Sequence, residues 1–347
     1  MNKISYLAYA IAFTALIACG DEKTETKEVE TTPETKELTE LQERAKTLFG
    51  ELPEIADNPE NPITEEKVIL GKQLYFDVRL SKDNKQSCNT CHNLNTFGVD
   101  NLPTSPGNDG KNGPRNSPTV LNAALHASQF WDGRNKDVEE QAGGPILNPI
   151  EMAMPSEEFV VERLSGIEEY KELFAKAFPE EEQPITYKNL QKAIGAFERK
   201  LITPSKFDDY LAGNDEALNE QEKRGLETFM TTGCITCHSG NALGGQLIQK
   251  FGLFGNYWEL TKSDRIDDGK FEVTQNEADK YFFKSPSLRN VEKTYPYFHD
   301  GSVNELNEAV KIMAKLQLNK ELTEEETNDI VAFLNTLTGD VPQEFKQ

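Results

Sequence analysis

The chain has 347 residues, enough for two ordinary domains, and carries a formal net charge of −22. Hydrophobic residues make up 37% and charged residues 28%, a balance that is typical of a globular protein. The acidity argues against a nucleic-acid partner, because a phosphate backbone needs a basic face. It favours a cationic or neutral partner, or it serves only to keep the chain in solution.

The N-terminal residues are expected to direct export rather than to fold. An apolar run from Leu7 to Ala18 follows Lys3 and is short for a bilayer span. It ends in LIAC at Cys19, which resembles a bacterial lipobox and predicts a lipoprotein-type signal peptide over 1–19 with Cys19 lipidated. An ordinary signal peptide or a short anchor helix is the alternative. Residues 20–45 are acidic and almost without large apolar side chains, which predicts a disordered tether.

Helical patterns cover most of the remaining chain. Residues 64–77 and 219–230 each begin with a capping residue and an acidic first turn. TEEE at Thr323 predicts a helix that continues to Thr338. No stretch shows sustained strand alternation. Two further helices, over 156–178 and 189–202, are predicted to bury Phe159, Leu164, Ile167 and Leu173 in the first and Leu190, Ile194, Phe197 and Leu201 in the second.

The four cysteines after Cys19 all lie in two C-x-x-C-H motifs. The motifs are Cys88-Asn-Thr-Cys91-His92 and Cys234-Ile-Thr-Cys237-His238. This spacing is typical of covalent haem attachment, because two thiols one helical turn apart can bind the two vinyl groups while the imidazole reaches the iron. The alternatives are a zinc site, which would need both halves to converge, a thioredoxin-like redox pair, and structural disulfides.

Similar segments recur in the two halves and indicate one internal duplication. NSPTVLN at 116–122 is similar to KSPSLRN at 284–290, and FWDGR at 130–134 is similar to FHDGS at 298–302. With QFWDGR, NPIEMAMP and YPYFHDG, these segments resemble the bacterial di-haem cytochrome c peroxidase family, from about residue 50 to the end of the chain.

The resemblance implies a mostly α fold of two cytochrome c-like domains, each with one c-type haem. Residues 46–203 would form an N-terminal peroxidatic haem domain, and residues 204–347 a C-terminal electron-accepting haem domain. His92 and His238 would be the proximal ligands of the two irons. Met313 would be the second axial ligand of the C-terminal haem, where a thioether raises the potential. The alternative is that Met313 is a core residue.

The resemblance also implies roles for residues near the peroxidatic iron. Trp131 would lie between the haems and assist electron transfer, or it would be a core aromatic that holds the domains together. Gln141 and Glu151 would lie above the iron, where the Glu151 carboxylate could move a proton between the peroxide oxygens. A solvated loop charge is the alternative for Glu151.

Three further positions match a calcium site between the domains. Asn116 would supply a side-chain oxygen, and Thr294 and Pro296 would supply backbone carbonyls, which are ligands that a hard cation prefers. His299 matches a position near a haem. His126 has no implied role and is expected to be a core or surface residue.

Asn108 departs from the family pattern. Many members carry at this loop position a histidine that blocks the peroxidatic iron until the other haem is reduced. An asparagine amide is a poor ligand for ferric haem, so the sequence predicts an open iron face and an enzyme that needs no reductive activation. The alternative is that His126 or another side chain replaces the missing ligand.

The predicted reaction converts hydrogen peroxide, two electrons and two protons to two waters. The electrons would come from a small cytochrome c or cupredoxin. The protein would lie on the periplasmic side, attached to a membrane only through its lipid anchor, and the resemblance allows for a homodimer. The alternatives are a di-haem oxidase of a protein or small organic substrate, and a non-catalytic di-haem electron carrier or sensor.

Overall fold

The computed structural model describes residues 37–346, so the signal peptide with Cys19 and most of the expected tether lie outside the described residues. None of the helices in 37–346 has the length and apolar character needed to cross a bilayer. The prediction of a mostly α chain is confirmed. The helices are α1 (Glu40–Phe49), α2 (Glu65–Phe76), α3 (Cys88–Cys91), α4 (Val138–Leu147), α5 (Glu157–Ser165), α6 (Glu168–Ala177), α7 (Tyr187–Glu198), α8 (Lys206–Leu211), α9 (Glu220–Thr232), α10 (Tyr257–Thr261), α11 (Phe271–Thr274), α12 (Leu306–Leu318) and α13 (Glu324–Asn335).

Helix α1 corrects the expected tether, which was predicted to run to residue 45. Thr39 caps this helix and forms a capping box with Gln42, so ordered chain begins before residue 40. Phe49 is buried and its ring contacts Phe207 with centroids 5.5 Å apart. The prediction was wrong because a few buried residues on one helical face are enough to fix a helix within an acidic segment.

The first and last parts of the described chain, residues 37–346, pack against opposite halves. Phe49 of α1 belongs to the core around α8 and α9, within the expected C-terminal domain. Val341 and Phe345 near the C-terminus belong to a core of the N-terminal half, where the Phe345 and Phe197 ring centroids are 5.9 Å apart. A single domain boundary at residue 203 therefore does not account for α1, which packs on the C-terminal half, or for Val341 and Phe345, which pack on the N-terminal half.

Each half is organised by a close crossing of two helices at a glycine. In the N-terminal half α2 crosses α7, and Gly71 lies directly against the Ala193 carbonyl and the Phe197 Cβ. In the C-terminal half α9 crosses α13, and Gly225 lies in the same way against Asp329 and Phe333. Only a residue without a side chain permits this approach. The two crossings have the same form, and the internal duplication stays a prediction.

The helix predictions hold best where a cap or a regular apolar face is present. The capping residues at the starts of α2, α9 and α13 are Thr64, Asn219 and Thr323. The four residues of the second predicted face (Leu190, Ile194, Phe197 and Leu201) are all fully buried, but α7 ends at Glu198, short of the predicted residue 202, so Leu201 follows the helix.

The predicted helix over 156–178 is instead two helices. Gly166 ends α5, and α6 begins at Glu168. The prediction that Phe159 is buried was wrong, because its side chain is 41% exposed, while neighbouring Val160 is fully buried. Because the helix breaks at Gly166, α5 and α6 do not share one continuous apolar face. A single helical periodicity drawn across both therefore placed Phe159 on the wrong side of α5.

A short antiparallel ribbon joins strands β1 (Ile248–Lys250) and β2 (Phe282–Lys284). Ile248 pairs with Lys284, and Gln249 with Phe283. Strands of three residues are too short to produce a readable alternation, so no sequence pattern predicted them. The ribbon brings Lys284 to the boundary between the two halves.

The Gly71 crossing yields a stability prediction. Gly71→Ala should lower the free energy of unfolding by about 1–3 kcal/mol, because the new Cβ would overlap the Ala193 carbonyl and push α2 from α7. Gly166→Ala is the matched control, since its Cβ would come no closer than 3.4 Å to the Arg163 carbonyl. Denaturant unfolding of the intact protein measures both. Equal stability of the two variants would contradict the close crossing.

Candidate functional site

The N-terminal half contains a cavity of about 440 Å³, within the range of cofactor pockets. Helix α3 carries Cys88 and Cys91 into its wall, and His92 follows directly. Burial lowers the pKa of His92, which favours the neutral imidazole that binds iron. The structure thus brings the whole first motif to one cavity, together with three other predicted site residues, Trp131, Gln141 and Glu151.

The C-terminal half contains a second cavity, of about 240 Å³ and with mostly apolar walls. Cys234, Cys237 and His238 line it, and Met313 of α12 lines it as well. The His238 Nδ1 lies 3.3 Å from the Leu243 carbonyl oxygen, which leaves Nε2 as the ligating nitrogen. Burial lowers the pKa of His238 to about 4, so its imidazole is neutral.

The donor sets fit one c-type haem in each cavity. The four cysteines of the two motifs are free thiols, which removes the disulfide alternative. The two motifs line different cavities, and among residues 37–346 no three His, Cys, Asp or Glu side chains are grouped to hold a metal ion. A shared zinc site is therefore excluded for the described chain, whereas two thiols beside one neutral imidazole are the groups that haem attachment requires.

Trp131 and Lys284 line both cavities. The Trp131 Nε1 donates to the Asn116 carbonyl at 2.9 Å, which fixes the plane of the indole. The Lys284 backbone N–H donates to the Trp131 carbonyl at 2.6 Å. The position expected for Trp131, between two haem sites, agrees with this arrangement.

His126 contacts a buried lysine. Its Nδ1 lies 3.2 Å from the Lys284 Nζ, which also donates to the Ser128 carbonyl at 2.9 Å. Burial and the neighbouring ammonium hold the pKa of His126 well below its usual value, and burial lowers the pKa of Lys284 to about 8. His126 lines the N-terminal cavity as a neutral partner of Lys284.

Glu151 is held in the wall of the N-terminal cavity by a neighbouring amide. The Asn148 Nδ2 donates to the Glu151 Oε1 at 2.7 Å. Burial raises the pKa of the Glu151 carboxyl above its ordinary value. A partly desolvated carboxyl that lines the same cavity as His92 can accept and return a proton. Gln141, on α4, adds a polar side chain to this wall.

Asn108 is turned away from the cavity. It is 4% exposed, its Nδ2 donates to the Asp83 Oδ2 at 3.0 Å, and its Oδ1 accepts from the Asp83 backbone N–H at 3.2 Å. Its own backbone N–H donates to the Glu151 carbonyl at 2.7 Å. The loop is fixed by these bonds and by the bond from the Gly107 backbone N–H to the Lys111 carbonyl, of 2.8 Å.

The segments of the expected calcium site meet between the two halves. Asn101 donates to the Tyr295 carbonyl at 2.8 Å, and the Asn116 backbone N–H donates to the His299 carbonyl at 2.7 Å. The Asn116 side-chain Nδ2 donates to the Leu102 carbonyl at 3.0 Å. Calcium at Asn116, Thr294 and Pro296 stays a prediction. His299 lines the C-terminal cavity, where its ring stacks on Phe283 at 4.2 Å between centroids.

Two functional features were not predicted from the sequence. Arg115 pairs with Asp132 and Asp267 at 2.5 and 2.8 Å and with Glu272 at 3.1 Å, across the two halves. No local pattern marks such a long-range cluster. The other is Glu198, which is buried in the N-terminal cavity wall. The sequence indicates Glu198 only as an acidic residue at a position that belongs to the apolar face of α7.

Comparison with known proteins agrees with this geometry. Residues 65–216 match the di-haem cytochrome c peroxidase family, and residues 222–338 match the cytochrome c family. A cytochrome c551 peroxidase of Pseudomonas aeruginosa is 47% identical over 87% of this chain and 88% of its own length. A cytochrome c551 peroxidase of Nitrosomonas europaea is 48% identical over 83% of each.

Solved structures support the same assignment. The crystal structure of a MauG-like protein associated with microbial copper homeostasis is 29% identical, covers 83% of this chain and 94% of its own, and has a TM-score of 0.74. A cytochrome c domain in each half implies two c-type haems, as predicted. With close relatives that span most of its length, the chain belongs to the di-haem cytochrome c peroxidase family.

Proposed function

We propose that the chain reduces hydrogen peroxide to two waters, with two protons and two electrons from a small cytochrome c or cupredoxin. The observation that carries this proposal is the N-terminal cavity, in which the C-x-x-C-H motif and a buried carboxyl, Glu151, share one wall. A pure electron carrier has no use for that carboxyl. The relatives named cytochrome c551 peroxidase support the same reaction.

The N-terminal residues would hold the haem at which peroxide reacts. Cys88 and Cys91 would bind the vinyl groups, and His92 would bind the iron through one ring nitrogen. When bound, the haem supplies an iron that coordinates peroxide and accepts electrons one at a time. Asn108 is hydrogen-bonded to Asp83 and does not line this cavity, which supports an open iron face and a resting enzyme that needs no reductive activation.

Glu151 would carry the proton during cleavage of the O–O bond. Its carboxylate takes a proton from the near peroxide oxygen and returns it to the far oxygen, which leaves as water. The Asn148 amide donates to one carboxylate oxygen, and the other oxygen would exchange the proton with peroxide. Gln141 would orient peroxide through its side-chain amide.

The C-terminal residues would receive electrons from the donor. Cys234 and Cys237 would attach the second haem, and His238 and Met313 would bind its iron. Trp131 would couple the two haems, and its position in both cavity walls supports this role.

The remaining sites and contacts follow from the same proposal. Asn116, Thr294 and Pro296 would bind calcium and hold the two halves in register. Export through the residues before 20, with Cys19 lipidated, would place the enzyme on the periplasmic side, attached to a membrane by the lipid alone. A homodimer would be its assembly.

Glu151→Gln tests the peroxidase reaction. Wild type should oxidise a reduced small cytochrome c with peroxide, and the variant should be slower by about 10²-fold or more, because the amide cannot accept the proton. Wild-type activity should also fall as pH decreases through the raised pKa of Glu151, since the protonated carboxyl is not a base.

The exposed Glu162→Gln is the matched control for charge and should keep full activity. Stopped-flow absorption measures each variant with its haem content verified. Near-normal turnover of Glu151→Gln would show that Glu151 is only a solvated charge in a loop, as in the alternative interpretation. Absence of turnover in wild type would contradict the proposed function itself.

Met313→His tests the relay. The reduction potential of the C-terminal haem should fall, because imidazole stabilises ferric iron more than a thioether does, and electron entry from the donor should slow. Spectroelectrochemical titration measures both haems, and the N-terminal potential serves as the internal control. An unchanged C-terminal potential would make Met313 a core residue only.

The oxidised enzyme tests the open iron face. Without pre-reduction, the N-terminal haem should give a high-spin electron paramagnetic resonance signal and bind cyanide at once. The C-terminal haem, with two protein ligands, should stay low-spin. A low-spin, cyanide-inert N-terminal haem would mean that another side chain blocks the iron.

A further inference from the structure

Glu198 is an ionisable group in the N-terminal cavity that the proposed peroxide chemistry does not use. It is the last residue of α7, is 5% exposed, and lines the same wall as Cys88 and His92. Burial has the largest effect on the pKa of its carboxyl, followed by the charges of neighbouring side chains. None of the described residues donates a hydrogen bond to this carboxyl. A buried carboxyl without a partner is costly to ionise.

The nearest cation does not neutralise Glu198. Arg199 donates to both carboxylate oxygens of Glu139, at 2.8 and 2.6 Å, and to the Ala56 carbonyl at 3.2 Å. The guanidinium is therefore occupied by another carboxylate. Burial first and the Glu139 charge second raise the pKa of Glu198 to about 8, against the weaker opposing effect of Arg199.

The C-terminal half has a leucine at the matching position. Phe197 and Phe333 contact the crossing glycines Gly71 and Gly225 in the same way, and the residues that follow them are Glu198 and Leu334. Each of these lines the cavity of its own half. The carboxyl is thus a specific feature of the N-terminal cavity, and not a requirement of the helix crossing.

Reduction of a buried haem adds one negative charge to a low-dielectric cavity, and this charge repels a carboxylate that has no counter-ion. We propose that Glu198 takes up a proton when the N-terminal haem is reduced, so that the potential of this haem depends on pH. Ferric iron gains one electron from the cytochrome or cupredoxin donor, and the Glu198 carboxylate gains one proton from solvent. The net charge of the cavity is unchanged by the pair. The inference rests on the proposed function for the haem and the donor.

The groups packed against Glu198 do not titrate in the same range. Tyr75 faces it from α2, and burial keeps the pKa of this phenol well above its usual value. Cys88 faces it from α3 and, bound as a thioether, has no proton to lose. From α4, Glu139 has a lowered pKa because Arg199 and Asn61 donate to it, so it stays ionised. Glu198 is the group of this cluster whose charge can follow reduction.

Lys284 and Glu151 elsewhere in the cavity are the competing groups. Burial lowers the pKa of Lys284 to about 8 and raises that of Glu151. Lys284 lines both cavities, so its titration would affect both haems, whereas Glu198 lines only the N-terminal cavity. The two haems of one protein therefore separate these possibilities.

Spectroelectrochemical titration over a series of pH values tests the proposal. In wild type, the N-terminal potential should fall with rising pH through the neutral to alkaline range, and the C-terminal potential should change much less. Glu198→Gln and Glu198→Leu should both flatten the N-terminal dependence, because neither side chain ionises. Glu162→Gln, the exposed control, should retain it.

Leu334→Glu provides the reverse test. A carboxyl at the matching position should lower the C-terminal potential at alkaline pH and make it depend on pH. An N-terminal dependence that persists in Glu198→Gln but is lost in Lys284→Met would overturn the proposal.

Wild type alone gives an independent measurement should the variants fail to fold. Reduction of the N-terminal haem in weakly buffered solution should take up protons, approaching one per electron at a pH between the pKa values of Glu198 in the oxidised and reduced states, read from an indicator dye. Absence of proton uptake would overturn the proposal. These measurements use no peroxide, so their failure is distinct from failure of the peroxidase reaction.

Discussion

Three hydrogen bonds build the wall that the two haem cavities share, and they cross repeatedly between the halves of the chain. The His299 carbonyl accepts from the Asn116 backbone N–H, the Asn116 carbonyl accepts from the Trp131 indole, and the Trp131 carbonyl accepts from the Lys284 backbone N–H. A shift of either half would move the indole relative to both cavities. The spacing of the two cavities is therefore held by two backbone hydrogen bonds and one indole side chain.

Other contacts prevent the halves from separating. Arg115 reaches from the N-terminal half to Asp267 and Glu272, and its guanidinium also pairs with Asp132. The planar guanidinium suits several carboxylates at once, and it lowers the pKa of Asp267 to about 2 despite burial. The exchanged chain ends, with α1 on one core and Phe345 on the other, add apolar contacts to these ion pairs. Such a frame suits electron transfer, which depends on fixed distances.

The sequence predicted what local chemistry determines. Two C-x-x-C-H motifs require only adjacent residues, and the caps at Thr64 and Thr323 act within one turn, so each could be predicted and each was found. The α1 helix was assigned to a tether because its partner, Phe207, lies far along the chain. The packing of Phe345 and the ion pairs of Arg115 also depend on residues far along the chain, and such contacts leave no periodic pattern in the sequence.

Each cavity is lined by one C-x-x-C-H motif, but the two differ in polarity. This difference agrees with the two roles proposed for them, peroxide reduction and electron entry. Among the described residues no carboxyl lines the C-terminal cavity, and Leu334 stands there at the position that Glu198 occupies in the N-terminal cavity, which suits a centre that only accepts and passes electrons. Glu151 and Glu198 give the N-terminal cavity two carboxyls with raised pKa values, which suits chemistry that consumes protons with electrons. The resemblance to a family drew attention to Glu151. An acidic residue on the apolar face of α7 does not by itself predict a role for Glu198, because the fold is what places it in the N-terminal cavity where Leu334 lies in the C-terminal one.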